Sequence, residues 1–268
     1  PNHLEVAATL NNLAMLCRDM GQYAQAEPLY LRSLGIRETR LGREHPDVAT
    51  SLNNLSVLYR DMRQPEKAED CCRRSLKIWE AKSGVDHPDV AVSLNNLALL
   101  YGDKAEWDQA ESLYQRCLGI WEAKLGPNHP EVANTLNNLA VLYDELAQFD
   151  KAEPYFHRSL AIEEESLGKD HPEVARTRND MAWHFLLQGK IDEAAEECDR
   201  SRRIVRKHAA NVLPLLSERD QLAFLERRDE SPFHRALSFG LRHADRPVMA
   251  ELSAGWLING KGVAQESL

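Results

Sequence analysis

The four-residue word Leu-Asn-Asn-Leu stands at Leu10–Leu13 and returns at Leu52–Leu55, Leu94–Leu97 and Leu136–Leu139, each copy 42 residues after the last. His3, His45, His87, His129 and His171 keep the same interval, and so do Ala26, Ala68, Ala110, Ala152 and Ala194. A fixed period of this length is the signature of stacked supersecondary units. Such a chain escapes the size limit of a single core, because each unit packs only on its neighbours. Five units can be written, 3–44, 45–86, 87–128, 129–170 and 171–212, followed by an aperiodic stretch, 213–268.

Each unit reads as two helices. His is followed by Pro in four of the five units, then by an acidic residue, Val and Ala. Proline after a candidate N-cap, with an acid in the first turn, is a helix-start signal. Apolar residues then recur at helical spacing, as at Val48, Leu52, Leu55 and Tyr59. This first helix is expected to end near Gly21 and its equivalents. A second helix starts around Gln25-Ala26-Glu27, carries Tyr30, Leu34 and Ile36 toward a core, and ends at Gly42, Gly84, Gly126 or Gly168, where glycine serves as a C-cap. Neither helix can bury its apolar stripe alone, so stacking of successive pairs is required.

The pattern Leu-x-x-Leu-Ala-x-x-Tyr…Gly-x-Tyr-x-x-Ala-Glu-x-x-Tyr resembles the tetratricopeptide repeat. The 42-residue form with a Leu-Gly-x-(Asp/Asn)-His-Pro junction is similar to the kinesin light chain subclass. The resemblance covers 3–212. It implies an all-α, right-handed superhelical solenoid whose first helices line a concave groove, closed by a short C-terminal helical extension. Arg63 and Ala105 depart from the turn glycine, and Pro65 from the aromatic after it.

On that fold, groove-facing residues of the first helices are expected at Asn11, Asn53, Asn95, Asn137 and Asn179. A carboxamide both donates and accepts, so a row of them can hold the backbone of an extended peptide. Kinesin light chain repeats use groove asparagines in this way, and the resemblance carries that role to these positions. The alternative is that the asparagines bond helix backbones between repeats. That second role is expected for Asn12, Asn54, Asn96 and Asn138. One turn further lie Met15, Val57, Leu99, Val141 and Trp183, which read either as shallow apolar pockets or as the upper layer of the core. Arg18, Arg60, Asn134, Asp144 and Arg176 flank them as a mixed set. The groove therefore lacks the uniform basic character that suits the acidic ligands of kinesin light chains.

Other chemistry finds little support. The formal net charge of −9 argues against a general nucleic-acid binder. No apolar run approaches the ~20 residues of a membrane-spanning helix, and no secretory leader opens the chain. The period keeps the five repeat histidines at least a helix spacing apart, about 8–10 Å. One zinc ion holds nitrogens at about 2.0–2.1 Å, so they read as caps rather than metal ligands. Gly255-x-x-x-x-Gly260-Lys261 lacks the Ser or Thr and the preceding strand of a phosphate-binding loop. Cys17, Cys71, Cys72, Cys117 and Cys198 show no zinc spacing and no activating partner. Cys17, Cys72 and Cys198 fall in slots where sister repeats carry Tyr or Phe. Buried reduced thiols favour the cytoplasm. Glu163-Glu164-Glu165 reads as a solvated helix end. No cofactor or metal is expected.

The fifth unit is degenerate. It reads Arg178-Asn179-Asp180 in place of Leu-Asn-Asn, and its second helix gathers Arg200, Arg202, Arg203, Arg206 and Lys207. That helix is either a solvated closing face or a docking surface. Past 212, a capped helix start is expected at Ser217-Glu218-Arg219-Asp220, with further helices near 231–244 and 247–267. Leu215-x-Ser217…Gln221-Leu222-Ala223-Phe224 and Trp256–Gly262 resemble the segment between the repeats and the caspase-like protease of bacterial repeat–CHAT proteins. The start at Pro1 suggests a piece of something longer. The expected function is non-catalytic: binding of a peptide or partner segment in the groove. The alternatives are the regulatory arm of a CHAT protease, with the array held on its own downstream domain, and a structural oligomerisation scaffold.

Overall fold

The computed structural model describes residues 3–212 and holds ten α-helices and no strand among them. They are α1 (Leu4–Asp19), α2 (Tyr23–Leu41), α3 (Pro46–Asp61), α4 (Pro65–Ser83), α5 (Pro88–Asp103), α6 (Trp107–Leu125), α7 (Pro130–Glu145), α8 (Phe149–Ser166), α9 (Pro172–Leu187) and α10 (Ile191–Val212). The expected tail helices lie outside the described residues. The described residues divide into two compact units, split between Leu142 and Tyr143.

The repeat histidines start the first helices. Nδ1 of His45, His87, His129 and His171 accepts the backbone N–H two residues on, at 3.1, 3.3, 3.2 and 3.2 Å. Each thereby satisfies one of the donors that a helix leaves unpaired at its N-terminus. The turn after a first helix needs a left-handed residue. Gly21 and Gly189 supply it at φ +69° and +73°, whereas Arg63, Ala105 and Ala147 are forced there at 56°, 58° and 54°. The closing bonds are the same in every case, as in Gly21 N–H to Arg18 C=O and Ala105 N–H to Gly102 C=O. The tertiary turn overrides the local preference of the side chain.

In the first unit α1 packs on α2, α3 on α4 and α5 on α6, while α2 meets α3 and α4 meets α5. The first helices α1, α3 and α5 also touch in series. Small residues let the helices close up: Ala14, Ser56, Ala98 and Ala140 on first helices, Ala26, Ala68 and Ala110 on second helices, are all buried. Burying each apolar side chain is worth about 1.5–3 kcal/mol for a Leu or Val, and Leu55, Leu58, Leu94, Leu100, Leu136 and Leu139 are all but sealed.

Polar bonds set the register of that packing. Ser33 donates to the Ala7 carbonyl at 2.7 Å and Ser75 to that of Ala49 at 2.9 Å, and the Cys117 thiol lies 3.3 Å from that of Ala91. In the second unit α9 packs on α8 and on α10, and Ser201 repeats the bond, to the Ala175 carbonyl at 2.7 Å.

Candidate functional site

Helical periodicity gives each first helix of the first unit an open stripe, opposite a sealed side on α3 and α5, whereas α1 also exposes Leu13 and Leu16. The open stripe takes positions separated by four, three and four residues: Ala8, Asn12, Met15 and Asp19 on α1; Thr50, Asn54, Val57 and Asp61 on α3; Val92, Asn96, Leu99 and Asp103 on α5. On α7 it continues as Asn134, Asn138 and Val141. Read across helices, these residues form an asparagine row, an apolar row and an acidic row. Met15 is 44 % exposed and Val141 38 %, with Val57 and Leu99 half-buried between them. The apolar row is therefore a partly covered floor that still meets solvent.

Burial turns Asn11, Asn53 and Asn137 away from the open face expected for them, while Asn54 and Asn138 bond between repeats, as expected of the second asparagine, though to a side-chain amide rather than a backbone. The first of each pair is the inner one: Asn11, Asn53 and Asn137 are 8, 7 and 1 % exposed, and Asn95 is half-buried. Their position, one residue before the open stripe, turns them about 100° toward the neighbouring repeat. Asn53 is bonded to the Ser93 hydroxyl on α5. Asn11 and Asn95 instead accept from the second asparagine of the next repeat, Asn54 and Asn138, each at 3.0 Å. The outer asparagines, Asn12, Asn54, Asn96 and Asn138, belong to the stripe that meets solvent. That stripe was legible in the spacing, since Asn12 and Met15 are separated by the same three residues as Asn96 and Leu99.

Charge along the stripe is paired in series. Arg18 and Arg60, both half-buried, reach the carboxylates of Asp61 and Asp103 on the following first helix at 3.9 and 3.6 Å. Burial pushes the Asp61 carboxyl up, against the pull of Arg60 and Arg18. Beneath Val57 a small cleft opens between α3, α4 and α5, lined by Arg60, Cys72, Asn96 and Leu100.

In the second unit, Trp183 is 54 % exposed and Asn179 and Arg176 are half-buried on α9. Arg176 is held by Glu173 at 2.9 Å, with Asp180 at 3.7 Å. Asp144 does not flank an open face. It is buried, with Oδ1 2.6 Å from Nδ1 of His184. Glu163 is buried too, contrary to a solvated helix end, because its slot is the one that Trp79 and Trp121 fill in other repeats. Nor is α10 a uniformly solvated face, since Arg202 is buried. His184 and Arg178 were missed as inward residues; the signal was their place in slots that otherwise hold leucine.

Four of the five thiols are held in the protonated, unreactive form. Burial pushes Cys71 and Cys117 up to about 12, and Cys72 and Cys198 up to about 11. Among the described residues no cluster of three or more His, Cys, Asp or Glu is placed to hold a metal ion, and no helix is long and apolar enough to cross a membrane.

The family model described as "Tetratricopeptide repeat" matches residues 5–71, 57–118, 89–162 and 145–207. No curated protein sequence matches the chain. Among solved structures, BtubC (BKLC) from P. vanneervenii is 27 % identical over 76 % of this chain and 82 % of its own, with a TM-score of 0.64. A putative kinesin light chain from Podosopora anserina with nearly identical TPR-like repeats is 24 % identical over 77 % of this chain and 98 % of its own, with a TM-score of 0.61. Aspartyl phosphate phosphatase F from Bacillus subtilis is 21 % identical over 96 % of this chain and 69 % of its own, with a TM-score of 0.64, a likeness of fold.

Proposed function

This chain belongs to the tetratricopeptide repeat family, and from that premise we propose that it is a protein-interaction module that holds an extended peptide or partner segment along its first helices. One observation carries the reading: the asparagine and apolar rows on the open stripes of α1, α3, α5 and α7, bordered on the first three by an acidic row. Carboxamides of Asn12, Asn54, Asn96 and Asn138 pair with a ligand backbone whatever its side chains. The apolar row of Met15, Val57, Leu99 and Val141 takes alternate side chains. In this reading Asn11, Asn53, Asn95 and Asn137 support the floor from behind, and Asn179, Trp183 and Arg176 offer a similar surface on α9. Arg18, Arg60 and Asn134 border the rows. The balanced charge of the face supports a ligand chosen by apolar side chains rather than by net charge. A cytoplasmic location fits thiols that are free and largely enclosed.

The test is capture of a partner from the source cell by the full chain, beside Asn54→Ala/Asn96→Ala and a control on the second helices, Gln115→Ala. Both variants must retain helical circular dichroism. Loss of the partner in the first and retention in the control supports the reading. Retention in both places binding elsewhere and makes the asparagine row structural.

A second reading, the regulatory arm of a CHAT caspase-like protease that engages its own downstream domain, draws on the tail motifs at 215–224 and 256–262. Those residues lie outside the described ones. The coding sequence beyond Leu268 decides it: a His and a Cys in a caspase-like context support it, and their absence removes it. An oligomerisation scaffold would instead self-associate without a ligand, which sedimentation of the full chain reads directly.

A further inference from the structure

The joints between repeats in the first unit are closed by apolar side chains. In the fifth repeat the same slots carry polar, ionisable side chains. Arg178 stands where Leu10, Leu52, Leu94 and Leu136 stand, and His184 where Leu16, Leu58, Leu100 and Leu142 stand. Glu163, on the α8 side, replaces Trp79 and Trp121. All three are inside: His184 and Glu163 are buried, and the Arg178 side chain is 14 % exposed.

Each substitution is matched by a second one. Arg178 bonds Glu164 on α8 and, at 2.6 Å, Glu197 on α10. Glu197 itself occupies the slot of Leu29 and Leu113. The usual wiring is changed to allow this. Arg74 and Arg116 on second helices reach back to Glu38 and Glu80 of the preceding second helix, at 2.6 and 2.7 Å. Their counterpart Arg200 turns to Glu196 and Glu197 of its own helix, and Glu164 takes Arg178. His184 is clamped between Asp144 and the Gln188 amide, each at 2.6 Å, amid Phe149, Phe156 and Phe185.

Glu163 is the least compensated group. It faces Thr177, which donates to Oε1 at 3.0 Å, and Arg176 at 3.9 Å, with the like charges of Glu173 and Asp180 on the same helix and Glu164 beside it. Its other oxygen, Oε2, is buried without a hydrogen-bond partner among the described residues. A buried ion pair gains little over the apolar packing it replaces, and a lone buried carboxylate costs free energy outright. A leucine joint is indifferent to charge state. This one is not.

We propose that the α8–α9 joint is a conformational device built on buried charge, a hinge at which α9 and α10 undock from α8 as one body. A partner that touches α8 and α9 together binds only the docked state and holds it shut. The inference is independent of the ligand proposed above.

Amide hydrogen exchange on the full chain tests it, comparing α9–α10 with α3–α5 at pH 6 and pH 8. The expected result is one common opening of α9 and α10, faster than that of α3–α5 and accelerated at pH 8. Glu163→Gln should remove the pH response, and Arg178→Leu/Glu197→Leu, which restores the apolar pair, should slow the opening by roughly tenfold or more. If α9–α10 open no faster than α3–α5, the proposal fails. It also fails if they open fast in the native chain but neither variant changes the rate, because the opening then owes nothing to the buried polar groups. Glu163→Gln is nearly isosteric, so it remains informative should the double variant not fold.

Discussion

Asn53 and Ser93, on neighbouring first helices and forty residues apart in sequence, are bonded through both ends of the amide: Nδ2 lies 3.0 Å from the hydroxyl, which lies 3.1 Å from Oδ1. Ser75 joins them at 3.2 Å from the second helix between. In the neighbouring repeats Ser51 is bonded by Arg37 at 2.9 Å and Thr135 lies 3.7 Å from the Cys117 thiol, while Asn11 and Asn95 accept from Asn54 and Asn138.

Removing the Asn53 amide takes both of its bonds from the Ser93 hydroxyl inside the stack and leaves that hydroxyl with Ser75 and the Asp89 carbonyl. Asn53→Ala is expected to cost about 1–3 kcal/mol, whereas Asn12→Ala, on the open stripe, should stay within about 0.5 kcal/mol. Urea unfolding of the two variants checks the difference. Equal costs would mean that the inner asparagine is no more structural than the outer one.

The three left-handed turn residues without a glycine carry strain that can be relieved. Ala105 sits at φ +58° on an exposed turn with its backbone bonds intact. Left-handed backbone costs an L-residue roughly 1–2 kcal/mol, and the extra freedom of glycine in the unfolded chain returns part of it. Ala105→Gly and Ala147→Gly should each stabilise by about 0.5–1 kcal/mol, visible as a higher melting temperature. Gly21→Ala should do the reverse.

How far the sequence speaks depends on what each slot must satisfy. The helix pairs were legible because histidine, proline and glycine mark ends whatever the neighbours are, and because the period repeats the message. The inward direction of Asn53 was not, since Leu-Asn-Asn-Leu offers two adjacent amides and only the phase of the helix against its neighbour decides between them. Reading the stripe from Ala8 through Asn12 and Met15 would have settled it. Glu163 was misread for a different reason. Three glutamates in a row look solvated, but the slot belongs to Trp79 and Trp121, and burial follows the slot rather than the residue.

The histidine caps give a test of that same rule at the helix starts. His87 accepts the Asp89 N–H at 3.3 Å and stacks on Trp79, ring centres 6.0 Å apart. His87→Ala loses both and should cost about 1–2 kcal/mol, while His87→Asn keeps an acceptor at the N-cap and should recover about half. A cost equal for the two variants would assign the effect to the stacking alone.

Two carboxylates should bend the stability of the chain in opposite directions with pH. Glu69 is lowered to about 2, chiefly by the Lys104 ammonium at 2.8 Å, with Arg73 and Tyr101 also donating to it. A depressed acid binds its proton less readily folded than unfolded, so its contribution is present above the ordinary glutamate range and is lost as pH falls toward 2. Glu163 is raised to about 7, chiefly by burial. Folded, it holds its proton where the unfolded chain has released it, so stability falls as pH climbs from the ordinary range near 4.5 through about 7, and by no more than about 3 kcal/mol in all. Urea midpoints across pH 4 to 8.5 read the second slope. Glu163→Gln should flatten it and leave the acid limb untouched, and Glu69→Gln should remove that limb's Glu69 share. A slope at pH 5–8 that survives Glu163→Gln would assign it to another group.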